Sequence, residues 1–126
     1  MKALFAVLAL TAASIASAET PPVASPYAAL AGEWSVDLRV ALTDPAYSKA
    51  MVLKIAADRS ITGSFYDSEI LAGRAGTAQE RQCVAFRTTD GQGMYHSSAC
   101  LTDGKMVGQT WAEGRNFVLP WTATRK

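Results

Sequence analysis

The residue types able to do chemistry are few: one histidine, His96, two cysteines, Cys83 and Cys100, and a polar cluster at Tyr66-Asp67-Ser68-Glu69. A catalytic histidine needs an oriented nucleophile or carboxylate beside it. The neighbours that strand register gives His96 are Arg87, Trp111 and Asn116, with no acid in the row. Arginine and tryptophan are enriched at binding hot spots, so the four read as a contact row. The alternative is a solvated outer face with an amphipathic tryptophan lying over it. At Tyr66 to Glu69 a metal or an acid–base pair competes with turn-forming side-chain hydrogen bonds, which the residue types favour. A metal site needs more ligands than Cys83, Cys100 and His96 supply, and a redox site would more often show C-x-x-C spacing. There is no glycine-rich phosphate loop, H-E-x-x-H or G-x-S-x-G motif. No enzyme activity, cofactor or metal is expected.

The register that builds this row comes from a hairpin. Cys83 and Cys100 lie symmetrically about Asp90-Gly91-Gln92-Gly93. If Gly91-Gln92 is the turn, Arg87 faces His96, Phe86 faces Ser97 and Cys83 faces Cys100. The cysteines then fall on a non-hydrogen-bonded pair with Cα atoms about 4.5 Å apart, which permits a disulfide. Closing this ring contributes roughly 3 kcal/mol in the chain-entropy model.

A disulfide needs an oxidising compartment, and the N-terminus supplies the route. Lys2, the apolar run from Ala3 to Ala13 and Ala16-Ser17-Ala18 together read as a Sec signal peptide over residues 1–18, cut before Glu19. The product would reside in the periplasm or the medium, with no membrane anchor. Without Lys2 the acidic and basic residues balance, and no run of like charge occurs. Nucleic acid and anionic membrane are therefore poor partners.

The remaining chain is long enough for one domain with a modest core. Residues 19–25 read as a proline-containing lead-in, and 26–31 as one helical turn with Ser25 as N-cap and Pro26 first. Residues 33–42 alternate strictly, with Trp34, Val36, Leu38, Val40 and Leu42 on one face. Strands follow at 49–57, with Met51, Leu53 and Ile55 inward, and at 61–66, with Ile61, Gly63 and Phe65 inward. The loop between them needs an odd count or a bulge to keep Ile55 on that face. A turn at Asp67-Ser68 leads into 69–74. Its inward parity includes Arg74, which could meet an anionic ligand at a barrel mouth or simply reach solvent.

Strands at 81–90 and 93–101 turn Val84, Phe86, Tyr95, Ala99 and Leu101 inward. Asp103-Gly104 sets Leu101 opposite Met106 and Ala99 opposite Gly108. Glu113-Gly114 sets Gly108 opposite Leu119 and Met106 opposite Trp121. The fold class is all-β: an eight-stranded up-and-down antiparallel barrel, or a strongly curled sheet, over 32–126 after one short helical turn. Inward Gly63 and Gly108 allow sharp coiling. Pro120 should leave the seam between last and first strands open or bulged.

Gly32-Glu33-Trp34 on the first strand, with Arg125 near the end of the last, resembles the lipocalin or calycin superfamily. There a basic residue packs over the G-x-W tryptophan. The resemblance implies Gly32, Trp34 and Arg125 as a structural signature; eight strands close around an interior that side chains fill or that holds one small ligand. The layout from Pro26 to Trp34 also resembles small periplasmic inhibitors of secreted zinc proteases, although the cysteines here lie later in the chain than in that family. The functional expectation is a non-enzymatic exported binding module for a small apolar ligand or an envelope protein. The alternatives are a metalloprotease inhibitor acting through 19–25 and a structural accessory domain.

Overall fold

A computed structural model describes residues 26–126. The expected signal peptide, the lead-in 19–25 and the Ser25 cap lie outside the described residues. Nine strands follow in order: β1 Gly32–Asp37, β2 Ser48–Ile55, β3 Ser60–Phe65, β4 Ser68–Glu69, β5 Leu71–Ala78, β6 Arg81–Thr89, β7 Met94–Thr102, β8 Lys105–Ala112 and β9 Phe117–Arg125. A 3-10 turn, Glu113–Arg115, joins the last two. Each strand pairs antiparallel with its sequence neighbour, except that β3 pairs both β4 and β5. β4 and β5 make one interrupted stave, and β9 pairs back onto β1. The result is a closed eight-stranded antiparallel barrel, which abolishes sheet edges.

The inward face is filled with apolar side chains. Trp34, Val36, Met51, Leu53, Phe65, Val84, Phe86, Met106 and Trp121 are all buried in one cluster. The Phe65 ring meets Phe86 edge-on at 5.8 Å and Trp121 at 5.7 Å. A short buried polar chain runs among them: the Trp121 indole donates to Thr110 Oγ1 (2.9 Å), which shares a 2.8 Å bond with Ser97 Oγ. Such a chain satisfies groups that would otherwise be costly to bury. Two inward glycines let strands close on each other. A Cβ on Gly63, whose φ is +131°, would lie 1.9 Å from the Val52 carbonyl oxygen. One on Gly108 would lie 2.4 Å from that of Ser98.

One barrel end is closed by the N-terminal turn. Leu30 N–H donates to the Tyr27 carbonyl, and Tyr27 and Leu30 are buried. The Trp34 indole donates to the Leu30 carbonyl at 2.9 Å. The Arg125 guanidinium lies 4.6 Å from the Trp34 ring centroid and donates to the carbonyls of Ala29 and Ala31.

Two hairpin registers match the turn chemistry pair for pair. Cys83 faces Cys100 and Arg87 faces His96; Leu101 faces Met106 and Ala99 faces Gly108. Ile55 faces Ile61, so an odd number of residues separates the two partners as required: the Ala56 N–H bonds to the Ser60 carbonyl, and Arg59 takes a φ of +74°. Pairing of β9 with β1 covers only Thr122 to Arg125, so Pro120 sits beyond the end of β1.

Four expectations need correction. The first strand stops at Asp37 rather than Leu42, and Val40 and Leu42 are 86% and 83% exposed. Asp37 captures the backbone N–H and the guanidinium of Arg39, which turns the chain out of the sheet. The turn after β3 is Tyr66-Asp67, both with positive φ, rather than Asp67-Ser68. The turn before β9 takes four residues, Glu113 to Asn116, so Gly108 faces Trp121 and Met106 faces Ala123. That shift of two keeps the parity of β9, with Trp121 and Ala123 inward, although Phe117 at the start of the strand is exposed. Finally, Tyr95 and Leu101 are only half-buried, and Ser97 is the fully buried residue of β7 beside Ala99.

Candidate functional site

Parity along β6 puts Val84, Phe86 and Thr88 inside, so Arg87 must point out. On β7, buried Ser97 and Ala99 likewise turn His96 and Ser98 outward. On β8, buried Thr110 and Ala112 turn Trp111 outward. Register then sets Leu71, Arg87, His96, Trp111 and Val118 side by side across five staves. Trp111 is 37% exposed and Val118 54%. Arg87, His96, Trp111 and Val118 border an open depression of about 420 Å³, whose lining also includes Ala72, Arg74, Ala85, Ser98 and Gln109.

Of the expected row, Arg87, His96 and Trp111 are brought together. Asn116 is not: it takes a left-handed conformation (φ +56°) closing the 3-10 turn, and Val118 occupies the place opposite Trp111. The longer turn is the reason. Arg74 also moves. It is exposed on the outer face, not inward at a mouth. The register of β5 against β6 slips between Leu71 and Arg74, where Ala72 takes a φ of +51°. The slip reverses parity, so Ala75 takes the inward place and Arg74 joins the row's side of the sheet.

Sequence reasoning missed Glu113. Its carboxylate lies 3.0 Å from His96 Nε2. The acid arrives from the 3-10 turn, whose length the sequence signal understated. Both partners are well exposed, so the pair contributes at most about 1 kcal/mol. Among the described residues no hydroxyl hydrogen-bonds His96, and no three metal-binding side chains converge.

The disulfide lies beneath this face. The Sγ atoms of Cys83 and Cys100 are 1.98 Å apart and the Cα atoms 4.0 Å apart. Both residues have the outward parity of Arg87 and His96, beside exposed Val107. At the far end of the hairpin, the Asp90 carboxylate caps the β6–β7 turn. It accepts the N–H groups of Gln92 and Gly93 and the Tyr95 hydroxyl at 2.7 Å. Those bonds, the Tyr95 hydroxyl first, hold Asp90 below its ordinary value of 3.8 and push the Tyr95 phenol up.

A separate polar group forms at Tyr66. The Tyr66 and Tyr47 hydroxyls are in contact, and the Lys49 ammonium lies 4.8 Å and 5.7 Å from the two ring centroids. The backbone makes the turn there through positive φ at Tyr66 and Asp67. No family model, curated protein or solved structure matches the chain.

Proposed function

We propose that this chain is a non-enzymatic exported binding module, lipocalin-like in construction, that contacts another envelope protein through the outer face of β5 to β9. The observation that carries the reading is the outward Trp111, flanked by Arg87, His96 and Val118 over an open depression. Tryptophan and arginine supply the largest single-residue contributions at protein interfaces. The interior is filled by Trp34, Phe65, Phe86, Met106 and Trp121, which favours an envelope protein on the surface over an apolar ligand inside. The Cys83–Cys100 bond supports an oxidising compartment. Arg125 stacked on Trp34 is the arrangement the lipocalin resemblance implies.

The test is photo-crosslinking in the native envelope. A crosslinking residue at Val118 is expected to give a discrete adduct, and one at Lys54, on β2, none. Trp111→Ala should reduce the adduct at least tenfold while leaving the melting temperature unchanged, as removal of an interface anchor does. Undiminished capture by Trp111→Ala would overturn the proposal.

A further inference from the structure

Four pairs of basic and acidic side chains lie close together on the described surface. Asp37 holds Arg39, Glu113 holds His96, Asp90 holds Arg115 and Glu33 holds Lys126. Like Lys54, Arg59, Arg81 and Lys105, Arg74 and Arg87 make no side-chain ion pair or hydrogen bond among the described residues. Both border the depression that carries Trp111. Arg74 faces Ala85, and Arg87 stands two residues further along β6, so the two are diagonal neighbours on one face. The acid that senses Arg74 is Asp58, whose carboxylate is already engaged by Ser60. No carboxylate lines the depression; Glu113, outside its lining, is hydrogen-bonded to His96.

Two unpaired guanidinium groups therefore stand together beside an apolar floor of Ala85, Trp111 and Val118. Guanidinium forks match carboxylates bidentately, and a flat indole accepts an apolar or aromatic side chain. The depression is open and shallow, so a small molecule would stay mostly in water there, whereas an extended chain can lie across several staves. Two cations are also few for a nucleic-acid surface, which draws on many phosphate contacts.

We infer that this face recognises an acidic polypeptide segment, in which carboxylates that meet Arg74 and Arg87 alternate with an apolar side chain that covers Trp111. The inference rests on the outer face being the contact surface and adds the chemistry of what it contacts.

Three synthetic peptides test it. They share the same aromatic and aliphatic residues, alternating with glutamate, glutamine or lysine. Each is titrated into the oxidised, isotope-labelled protein, with the Trp111 indole and Arg87 Nε–H signals as readout. The glutamate peptide is expected to shift both signals. The glutamine peptide should bind about tenfold more weakly, and the lysine peptide should leave them unmoved. The double variant Arg74→Gln, Arg87→Gln should lose the preference for glutamate over glutamine, with the buried Trp34 and Trp121 indole signals unchanged as proof of folding. Equal binding of the glutamate and glutamine peptides would overturn the charge inference and leave the contact surface standing. If no peptide moves Trp111, the inference fails, and the crosslinking result alone decides the contact surface. A response to a short oligothymidylate but to none of the peptides would replace a polypeptide with a phosphate-bearing partner.

Discussion

Single side chains hold this barrel at its tightest points, and Gly63 is the sharpest case. A methyl group there meets the Val52 carbonyl at 1.9 Å, on a backbone already at φ +131°. Gly63→Ala should cost about 3 kcal/mol in urea denaturation, from overlap and conformational strain together. Gly76 lies on β5 with nothing within 4 Å of the place a methyl group would take, so Gly76→Ala should stay within about 0.5 kcal/mol. Asp90 offers a test by pH. Its folded value lies below the ordinary 3.8, so its contribution is complete above that value and is lost as pH falls through the folded one. Asp90→Asn should therefore lower the melting temperature at pH 7, and the difference from the unaltered protein should shrink in thermal melts taken progressively below pH 3.8. The Tyr95 phenol is shifted up by the same bond, so that part of the stability fades only as pH rises past 10.0.

Among the elements, the β6–β7 hairpin is held twice, by the Asp90 turn and by the disulfide. The side-chain bonds of Thr89 and Asp90 specify the turn without help from sulfur. The variant Cys83→Ser, Cys100→Ser should lose about 3 kcal/mol by chemical denaturation yet keep the same cross-strand contacts in its NMR spectra. This hairpin and the one at Asp103-Gly104 were legible in the sequence, because glycine and aspartate mark their turns and the paired parities agree. Tyr66-Asp67 was not, because two non-glycine residues adopt positive φ there. The cost is accepted because the Tyr66 hydroxyl meets Tyr47 and the Lys49 ammonium lies over its ring, contacts between distant parts of the chain. Strict alternation through Val40 and Leu42 also misled, since the Asp37–Arg39 clamp ends β1 irrespective of hydrophobic pattern.

For the whole molecule, the decisive feature is which tryptophans face inward. Trp34 and Trp121 are 0% and 3% exposed, and both indoles donate to protein oxygens. The Trp111 indole makes no such bond among the described residues. Hydrogen exchange should find the first two indole protons protected to the level of global unfolding and the third exchanging rapidly. Protection of Trp111 would place its face inside. Period-two alternation and turn residues were enough to define an antiparallel all-β meander and the inward set Val84, Phe86, Ala99 and Met106, because each follows from contacts within one hairpin, whereas closure into a barrel rather than a curled sheet needed the pairing of β9 with β1. The trio Arg87, His96 and Trp111 followed in the same way, by counting from two turns. Arg74, Glu113 and Val118 could not be placed by counting. A slip in β5 and a longer turn before β9 assign them, and both depend on how the staves close around a full core. Local pattern thus settles the face of residues in regular hairpins, such as Arg87 and Trp111, while bulges and barrel closure decide the face of Arg74 and which residues become neighbours.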